Sequence, residues 1–216
     1  MYSNLVKSFN CDQGAIRKVH FNKDGGYCIT AGANKTLKLW NPRKGLLLQQ
    51  FSGHNNEVLD ADCSDCSSKV ASAGQDRYVI YYEVSTGKPI VTFREHIAPV
   101  NCVRFNAEST LIISGSVDCS VRIFDCKSRS RQSIQVLNEA KDAISSLIVN
   151  DQQIISGSLD GRVRVYDLRK GQLFVEDCSS SVISVAETQD RQCLLVGCLD
   201  SKLRLMDKEN GRVLSE

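Results

Sequence analysis

The stretch TLKLWN at residues 36–41 decides the fold, because its pattern recurs four more times along the chain. The copies are YVIYYE (78–83), SVRIFD (120–125), RVRVYD (162–167) and KLRLMD (202–207). The large side chain near the end of each copy lies at positions 40, 82, 124, 166 and 206, so the spacings are 42, 42, 42 and 40 residues. A fixed period of this length indicates a repeat architecture.

Each copy is predicted to be a β-strand. The residues one and three positions before the large side chain are apolar in all five copies, as Leu39 and Leu37 are before Trp40. This period of two is typical of a strand with one buried face. A glycine eight or nine residues before the large side chain predicts a turn that ends the preceding strand. These glycines are Gly32, Gly74, Gly115, Gly157 and Gly197.

Each repeat holds four strand candidates, and the recurring stretch is the third of them. The first strands are predicted to begin at Ile16, Val58, Val100, Ile144 and Val182. The chain is therefore expected to be one all-β domain over residues 1–216. Its repeats span approximately 10–51, 52–93, 94–137, 138–176 and 177–216.

The composition is that of a globular protein without a strong charge. The chain is 42% hydrophobic and carries a formal net charge of +2, which argues against disorder and does not by itself support nucleic-acid binding. No apolar run approaches the roughly 18 residues of a membrane helix, and the first residues lack a signal-peptide core. We therefore expect a cytoplasmic and nuclear protein that does not insert into membranes.

The ten cysteines are expected to be free thiols, as is usual in a reducing compartment. Cys63 and Cys66 form a CxxC pair, but the sequence has no second pair to complete a zinc site. No catalytic constellation, nucleotide-binding loop or paired metal motif is found. We therefore expect no enzyme activity, no cofactor and no small-molecule substrate.

Four antiparallel strands in a repeat of about 42 residues resemble the WD-repeat family of β-propellers. Gly53-His54 stands 28 residues before Tyr82, and His96 stands 28 residues before Phe124. This spacing matches the Gly-His and Trp-Asp frame of that family. The resemblance covers essentially the whole chain, since five copies keep one register.

Blades of this family often contain a buried hydrogen-bonded set of His, Ser or Thr, Asp and Trp. By position, the resemblance assigns two such sets: His54, Ser72 and Asp76 in repeat 2, and His96, Ser114 and Asp118 in repeat 3. Both sets have Tyr or Phe in place of Trp. Repeat 1 has the Trp, but Asp12 stands at the histidine position. We expect a structural role for both histidines.

The number of outer strands predicts an open arc. In propellers of this kind an N-terminal strand completes the last blade, and residues 5–9 fit that role. Five inner triplets need five outer strands, whereas the chain offers six, so one strand is surplus. The sequence therefore predicts five blades of an incomplete ring, with uncovered faces on the first and last blades.

Protein partners are expected to bind to loops on one face of the propeller. The strand-start residues Arg17, Asn101 and Ser145 are predicted to line the inner rim of that face. Apolar loop residues on the same face are the more informative candidates, with ordinary turn packing as the alternative. These residues are Ile97, Val117, Leu159 and Leu199.

Basic residues recur in two further places. The run KSRSR at 127–131 is predicted on the opposite face, as a solvated turn or a docking site for an acidic partner. A second set recurs two positions before the large residue and is expected to face solvent or to pack along its aliphatic stems. That set is Lys38, Arg122, Arg164 and Arg204.

The sequence YDLR at 166–169 resembles the Trp-Asp-x-Arg box of substrate receptors for cullin-4 ubiquitin ligases. The resemblance implies that Arg169 contacts the adaptor of the ligase. A cullin-4 substrate receptor is therefore one alternative function.

Longer stretches resemble a branch of the WD-repeat family that organises mitogen-activated protein kinase modules. They are FNKDGGYC (21–28), KTLKLWNP (35–42) and DGRVRVYDLRKGQLF (160–174). The resemblance implies a seven-bladed ring and a scaffold that assembles kinases and adaptors of an extracellular-signal-regulated kinase (ERK) cascade. It also implies, as an alternative, association with splicing factors in the spliceosome, with no direct nucleic-acid contact expected.

Overall fold

The computed structural model describes residues 8–128, 130–208 and 210–215, and within them it contains twenty β-strands and no helix. The strands form five four-stranded antiparallel sheets, each a meander of four consecutive strands. We call these sheets blades 1 to 5 in chain order. The predicted all-β fold is confirmed. Of the predicted N-terminal strand, residues 5–7 lie outside the described residues, and Ser8 and Phe9 are not in a strand.

The strands of the first three blades are as follows. Blade 1 contains β1 (Ile16–Phe21), β2 (Cys28–Gly32), β3 (Leu37–Asn41) and β4 (Leu46–Phe51). Blade 2 contains β5 (Val58–Cys63), β6 (Lys69–Gly74), β7 (Val79–Glu83) and β8 (Pro89–Phe93). Blade 3 contains β9 (Val100–Phe105), β10 (Leu111–Ser116), β11 (Val121–Asp125) and β12 (Gln135–Leu137).

The last two blades repeat the pattern. Blade 4 contains β13 (Ile144–Val149), β14 (Gln153–Ser158), β15 (Arg162–Asp167) and β16 (Gln172–Asp177). Blade 5 contains β17 (Val182–Glu187), β18 (Cys193–Cys198), β19 (Leu203–Asp207) and β20 (Val213–Ser215). Every first strand begins at the residue predicted for it.

The hydrophobic core lies in the four interfaces between successive blades. The residue that ends a fourth strand covers the large residue of the next blade. Phe51 meets Tyr82 edge-on with ring centroids 5.4 Å apart, and Phe93 stacks on Phe124 at 4.3 Å. Phe9 lies against Trp40 in the same way, with ring centroids 5.0 Å apart. In blades 1 to 3 the two rings of each pair are therefore 31 residues apart in the sequence.

The blades form an open arc. The first strand of each blade packs on the first strand of the next, from β1 through β17, whereas β1 and β17 do not pack against each other in this way. The two end faces are correspondingly exposed, because Phe21 in β1 is 54% accessible and Leu203 in β19 is 61% accessible. The predicted incomplete ring is confirmed as an arc of five blades.

The glycines predicted to end the second strands do so: Gly32 and Gly74 are the last residues of β2 and β6, and the other three stand one residue before the strand end. Their φ angles are not positive, so they are not needed for a left-handed turn. Four of the five, all but Gly197, instead leave room for a neighbouring side chain. A Cβ atom on Gly74 would lie 2.5 Å from the His54 ring, and one on Gly32 would lie 2.5 Å from Gln13. The left-handed residue of this turn comes three positions later in blades 1 and 2, as at Arg77, where φ is 71°, and four positions later in blades 3 to 5.

Candidate functional site

The loops before each first strand and the loops between second and third strands lie on one face, which we call the upper face. In every blade the loop between the second and third strands donates a backbone N–H to a carbonyl of the loop before the first strand, at 2.9 Å. The donors are Ala33, Gln75, Val117, Leu159 and Leu199. The same bond in five blades makes the upper face a regular, rigid array of loops.

Apolar side chains are exposed on the upper face of blades 3 to 5. Ile97 is 77% accessible and Leu199 is 67% accessible, and Val117 and Leu159 are 40% and 38% accessible. We call these four residues the apolar patch. The residues that correspond to Val117, Leu159 and Leu199 are Ala33 in blade 1 and Gln75 in blade 2. Neither is a large apolar residue, so the patch does not extend to those blades.

Blades 2 and 3 each contain a buried histidine bonded to a serine and an aspartate. In blade 3, His96 Nε2 lies 2.8 Å from Ser114 Oγ, and Nδ1 lies 2.8 Å from Asp118 Oδ2. The same carboxylate oxygen accepts the backbone N–H of Ile97 at 3.1 Å. The buried set therefore fixes the backbone that presents Ile97, the most exposed member of the apolar patch.

The set in blade 2 has the same geometry. His54 Nε2 lies 2.6 Å from Ser72 Oγ, Nδ1 lies 2.9 Å from Asp76 Oδ1, and the N–H of Asn55 donates to Asp76 Oδ2 at 2.7 Å. The structure thus brings together the residues that the sequence assigned to the two sets.

The aspartates of these sets are held in their charged form. Burial disfavours the carboxylate of Asp118, but hydrogen bonds from His96 and Ser120 outweigh burial and lower the pKa of Asp118 well below its usual range. The pKa of Asp76 is lowered in the same way, with His54 and backbone N–H groups outweighing burial. Both carboxylates therefore act as acceptors at neutral pH.

Blades 4 and 5 replace the histidine by an arginine from the third strand. Arg164 is 1% accessible, and its Nη2 donates to Asp160 Oδ2 at 2.6 Å. That carboxylate also accepts the N–H of Lys141 at 2.9 Å. Arg204 and Asp200 form the same pair at 2.5 Å in blade 5. The expectation that these arginines face solvent or merely pack along their stems is wrong, since the blades lack a histidine and the guanidinium group fills its place.

Lys38, from the same recurring set, is also buried, at 8% accessibility, and its Nζ donates to the carbonyl of Cys11 at 2.7 Å. Arg122 is partly buried and donates to Glu95 Oε2 at 3.1 Å. Each member of the set therefore anchors a loop of the upper face.

In blade 1 the histidine position is taken by Gln13, and the assignment of Asp12 to it is wrong. Gln13 is 1% accessible, and its Oε1 accepts from Thr30 Oγ1 at 2.5 Å while Nε2 donates to the carbonyl of Thr36 at 2.8 Å. Trp40 Nε1 donates to Thr30 Oγ1 at 2.9 Å. An amide both donates and accepts, as a neutral imidazole does, whereas a carboxylate only accepts.

The three predicted strand-start residues each tie a blade to the next one, at the junctions of blades 1 and 2, 3 and 4, and 4 and 5. A β-bulge leaves the second residue of every first strand out of the pairing register, and a bulge of this kind re-aims a side chain. Asn101 Nδ2 donates to the carbonyl of Ile144 at 2.8 Å, and Ser145 Oγ donates to the carbonyl of Val182 at 2.6 Å. Arg17 pairs with Glu57 at 2.7 Å.

Comparison with known families decides what these blades are. A family model described as "WD domain, G-beta repeat" matches residues 3–41, 45–83, 87–125 and 131–167, which is well over half of the chain. The chain belongs to the WD-repeat family. The family proposed from the sequence is therefore confirmed.

The similar proteins include several called WD repeat domain-containing protein 83. The one from Homo sapiens is 50% identical over 211 residues, which are 98% of this chain and 67% of that protein. The one from Danio rerio is 46% identical over 213 residues, 99% of this chain and 68% of that protein. A homolog from Dictyostelium discoideum is 28% identical over 232 residues, covering 94% and 71% of the two chains.

The opposite face of the WD-repeat arc, which we call the lower face, carries two kinds of turn: those between first and second strands and those between third and fourth strands. The remaining motifs lie on this face. Arg169 is exposed in the turn between β15 and β16. The basic run 127–131 lies in the connection between β11 and β12, and of this run Arg129 is outside the described residues. In its described part the N–H of Lys127 donates to Asp125 Oδ1 at 2.8 Å and the N–H of Ser130 donates to Ser128 Oγ at 3.0 Å, which are local turn bonds.

Neither a metal cluster nor a membrane span is found in the described part of the WD-repeat arc. No group of His, Cys, Asp and Glu there could hold a metal ion, and no helix there is long and apolar enough to cross a membrane.

All ten cysteines are unpaired. The exposed Cys66 thiol has its pKa lowered to about 7 by hydrogen bonds from Ser68 and Ser64, whereas burial raises the pKa of Cys63 to about 12.

Proposed function

We propose that this WD-repeat chain is a non-catalytic scaffold that binds proteins through the apolar patch and organises a mitogen-activated protein kinase module of the ERK type. The kinase role rests on the resemblance of three long stretches to the organizers of such modules. The 50% identity to human WD repeat domain-containing protein 83 supports membership of that branch. We propose that the protein works in both the cytoplasm and the nucleus.

The observation that carries the binding role is the exposure of Ile97. Its side chain is 77% accessible, while its backbone N–H is bonded to Asp118 in a buried set. A large apolar side chain held rigidly in water contributes nothing to the core. Such residues are typical of interfaces, where they lose little conformational entropy when a partner binds.

Affinity capture from cells tests this proposal. The tagged chain is compared with variants Ile97→Asp and Leu199→Asp, and with Ile90→Asp as the control. Ile90 is 45% accessible but lies on the outer strand β8, away from the upper face. We expect kinases and adaptors of the ERK cascade to be captured by the native chain and by Ile90→Asp, and to be lost from the two patch variants.

Capture of the same kinases by all four proteins would contradict the role of the patch. Recovery of splicing factors in place of kinases would overturn the kinase role in favour of the spliceosomal alternative. Recovery of the cullin-4 adaptor, with loss on Arg169→Ala, would favour the substrate-receptor alternative, which the exposure of Arg169 permits.

A further inference from the structure

The fourth strand of each blade forms its outer edge. The first strands pack on one another along the arc, and the fourth strand is the last in the order of each sheet. Each fourth strand therefore has one row of backbone N–H and C=O groups that no other described strand pairs with. Such edges pair readily with a further strand, and folded proteins usually prevent this with short strands, bulges, prolines or charges.

Four of the five outer strands are protected in one of these ways. β12 and β20 contain only three residues each. A β-bulge interrupts the pairing of β4 with β3 and of β8 with β7, and β8 also begins at Pro89. In β4 the N–H of Gln50 donates to Gln49 Oε1 at 3.1 Å, so that edge donor already has a partner. These four edges are therefore poor templates for a further strand.

The outer strand of blade 4, β16, is neither short, bulged nor interrupted by proline. It has six residues, QLFVED, and it pairs with β15 over all six of them without a register shift. Leu173, Phe174 and Val175 follow one another in the strand and are 38%, 45% and 43% accessible. A long, regular and apolar edge of this kind is one that pairs with another strand.

The outward-facing backbone groups of β16 follow from its contacts. Cys178, directly after the strand, donates its N–H to the carbonyl of Gly161 at 2.8 Å, on the side of β15. Because N–H groups alternate in direction along a strand, those of Leu173 and Val175 point away from β15. Gln50, whose N–H is satisfied by a side chain and not by β3, stands at the same register position as Val175. Leu173 and Val175 therefore offer two donors and two acceptors to a further strand.

A second copy of β16 complements this edge when the two strands run antiparallel with Phe174 opposite Phe174. Leu173 of each copy then lies opposite Val175 of the other, and these two residue pairs exchange four backbone hydrogen bonds. Gln172 lies opposite Glu176 of the second copy, so an amide donates to a carboxylate. The pairing thus joins apolar to apolar and donor to acceptor, without like charges opposite each other.

The charges at the two ends of β16 favour the same antiparallel arrangement. The basic pair at 169–170 precedes the strand, whereas Glu176 and Asp177 end it, so the basic start of one copy lies beside the acidic end of the other. Asp177 also forms a pair with Arg162, but that pair is exposed and 3.8 Å long. Asp167 Oδ1 accepts the two backbone N–H groups of the basic pair at 2.9 Å.

Blade 1 shows that this combination is specific to β16. Its outer strand β4 is also preceded by a basic pair, Arg43 and Lys44, but it ends in Gln49, Gln50 and Phe51. An antiparallel pair of β4 strands would therefore lack the acidic end, in addition to being interrupted by the bulge. The basic pair alone does not distinguish the two edges, whereas the regular strand with ends of opposite charge does.

We propose that β16 is a self-association edge, through which two copies of the chain pair their fourth blades in an antiparallel dimer about a twofold axis. Two sheets of four strands then become one continuous sheet across the dimer. The edge lies at the outside of blade 4, so the contact is separate from the apolar patch and from the proposed function. Because the paired segment is short, the dimer is expected to be weak, with a dissociation constant in the micromolar range.

Sedimentation velocity of the purified full chain, measured over a series of concentrations, tests the proposal. The main variant is Val175→Pro, which removes an outward N–H and no bond to β15, as proline is tolerated at such edge positions. It is expected to remain monomeric at concentrations where the native chain is half dimeric. Gln50→Pro makes the same change at the same register position of β4 and is expected to dimerise as the native chain does. Circular dichroism melts show that both variants fold.

A second pair of variants tests the register of the two strands. Gln172→Glu places a carboxylate opposite Glu176 in both symmetric pairs, so the dissociation constant of the dimer is expected to rise about fivefold or more. The double variant Gln172→Glu/Glu176→Gln restores an amide opposite a carboxylate and is expected to dimerise as the native chain does.

Three results would overturn the proposal. A native chain that stays monomeric up to about 100 µM would leave the edge to a strand of a different protein. A dimer that is unchanged in Val175→Pro would place the contact elsewhere, for example at the exposed end faces of blades 1 and 5. Failure of the double variant to recover the native dissociation constant would refute the antiparallel register.

Discussion

At the scale of single residues, Arg164 replaces a histidine in a position where the charge cannot reach water. It is 1% accessible and pairs with Asp160, whose own side chain is 9% accessible. Burial disfavours the carboxylate, but hydrogen bonds from Arg164 and Ser158 outweigh it and lower the pKa of Asp160 below its usual range. The pair is therefore charged, buried and mutually dependent.

Arg164→Ala is expected to lower the free energy of unfolding by about 3–5 kcal/mol, because it leaves the Asp160 carboxylate buried without its partner. The measurement is urea denaturation followed by circular dichroism. Arg162→Ala is the control on the same strand, since its side chain is 39% accessible and its pair with Asp177 is 3.8 Å long. A loss below about 1 kcal/mol is expected there. Equal losses in the two variants would refute the buried-pair account.

Acid is expected to weaken the protein through Asp118. The folded-state pKa of Asp118 is lowered below the unfolded value, so its contribution is present above about pH 4 and is lost as the pH falls further toward the folded pKa. Urea midpoints measured from pH 7 downward should therefore fall more steeply for the native chain than for Asp118→Asn. Parallel curves for the two proteins would show that this carboxylate is not linked to folding.

At the scale of elements, carboxylates of one first strand close the free edge of the next. Asp60 Oδ2 accepts the N–H of Val103 at 3.2 Å and Arg104 Nη1 at 2.6 Å, and Asp62 Oδ2 accepts the N–H of Phe105 at 2.8 Å. An edge strand presents unpaired N–H groups that otherwise need water or another chain. These contacts join blade 2 to blade 3 through the backbone.

Asp60→Ala is expected to speed amide hydrogen exchange at Val103 and to lower the free energy of unfolding by about 3 kcal/mol, because it removes the buried carboxylate that accepts the Val103 N–H and pairs with the partly buried Arg104. Exchange is measured by NMR or mass spectrometry. Glu57→Ala is the matched control, since Glu57 also bridges two blades but its pair with Arg17 is exposed. Unchanged exchange at Val103 would contradict the role of Asp60.

The elements that were predictable from the sequence are those set by periodic pattern. The starts of the five first strands, and the third strands around Trp40 and its equivalents, follow from apolar spacing and turn residues. The bulge beside Asn101 could not be predicted, because it leaves no spacing signal. The use of Gln13 in place of Asp12 depends on which side chain can both donate and accept. The burial of Arg164 is not predictable from its position, because a charged residue on a strand normally faces water.

At the scale of the whole molecule, the core is a series of interfaces, and in the described residues the hydrophobic clusters join each blade to its neighbours. Such a stack behaves as a one-dimensional array in which each interface adds its own stability. The apolar patch spans three consecutive blades of this array, and the buried set of blade 3 and the arginine pair of blade 4 each hold a loop that borders it. The patch is therefore rigid without belonging to the core.

Site-specific photo-crosslinking in cells tests the central claim that partners dock on the apolar patch. A photoreactive amino acid replaces Ile97, Leu199 or, as the control on the outer strand, Ile90. Crosslinks to proteins of the kinase module from positions 97 and 199, and none from position 90, are the result we predict. Crosslinks to those proteins from position 90 alone, or equally from all three positions, would contradict the claim.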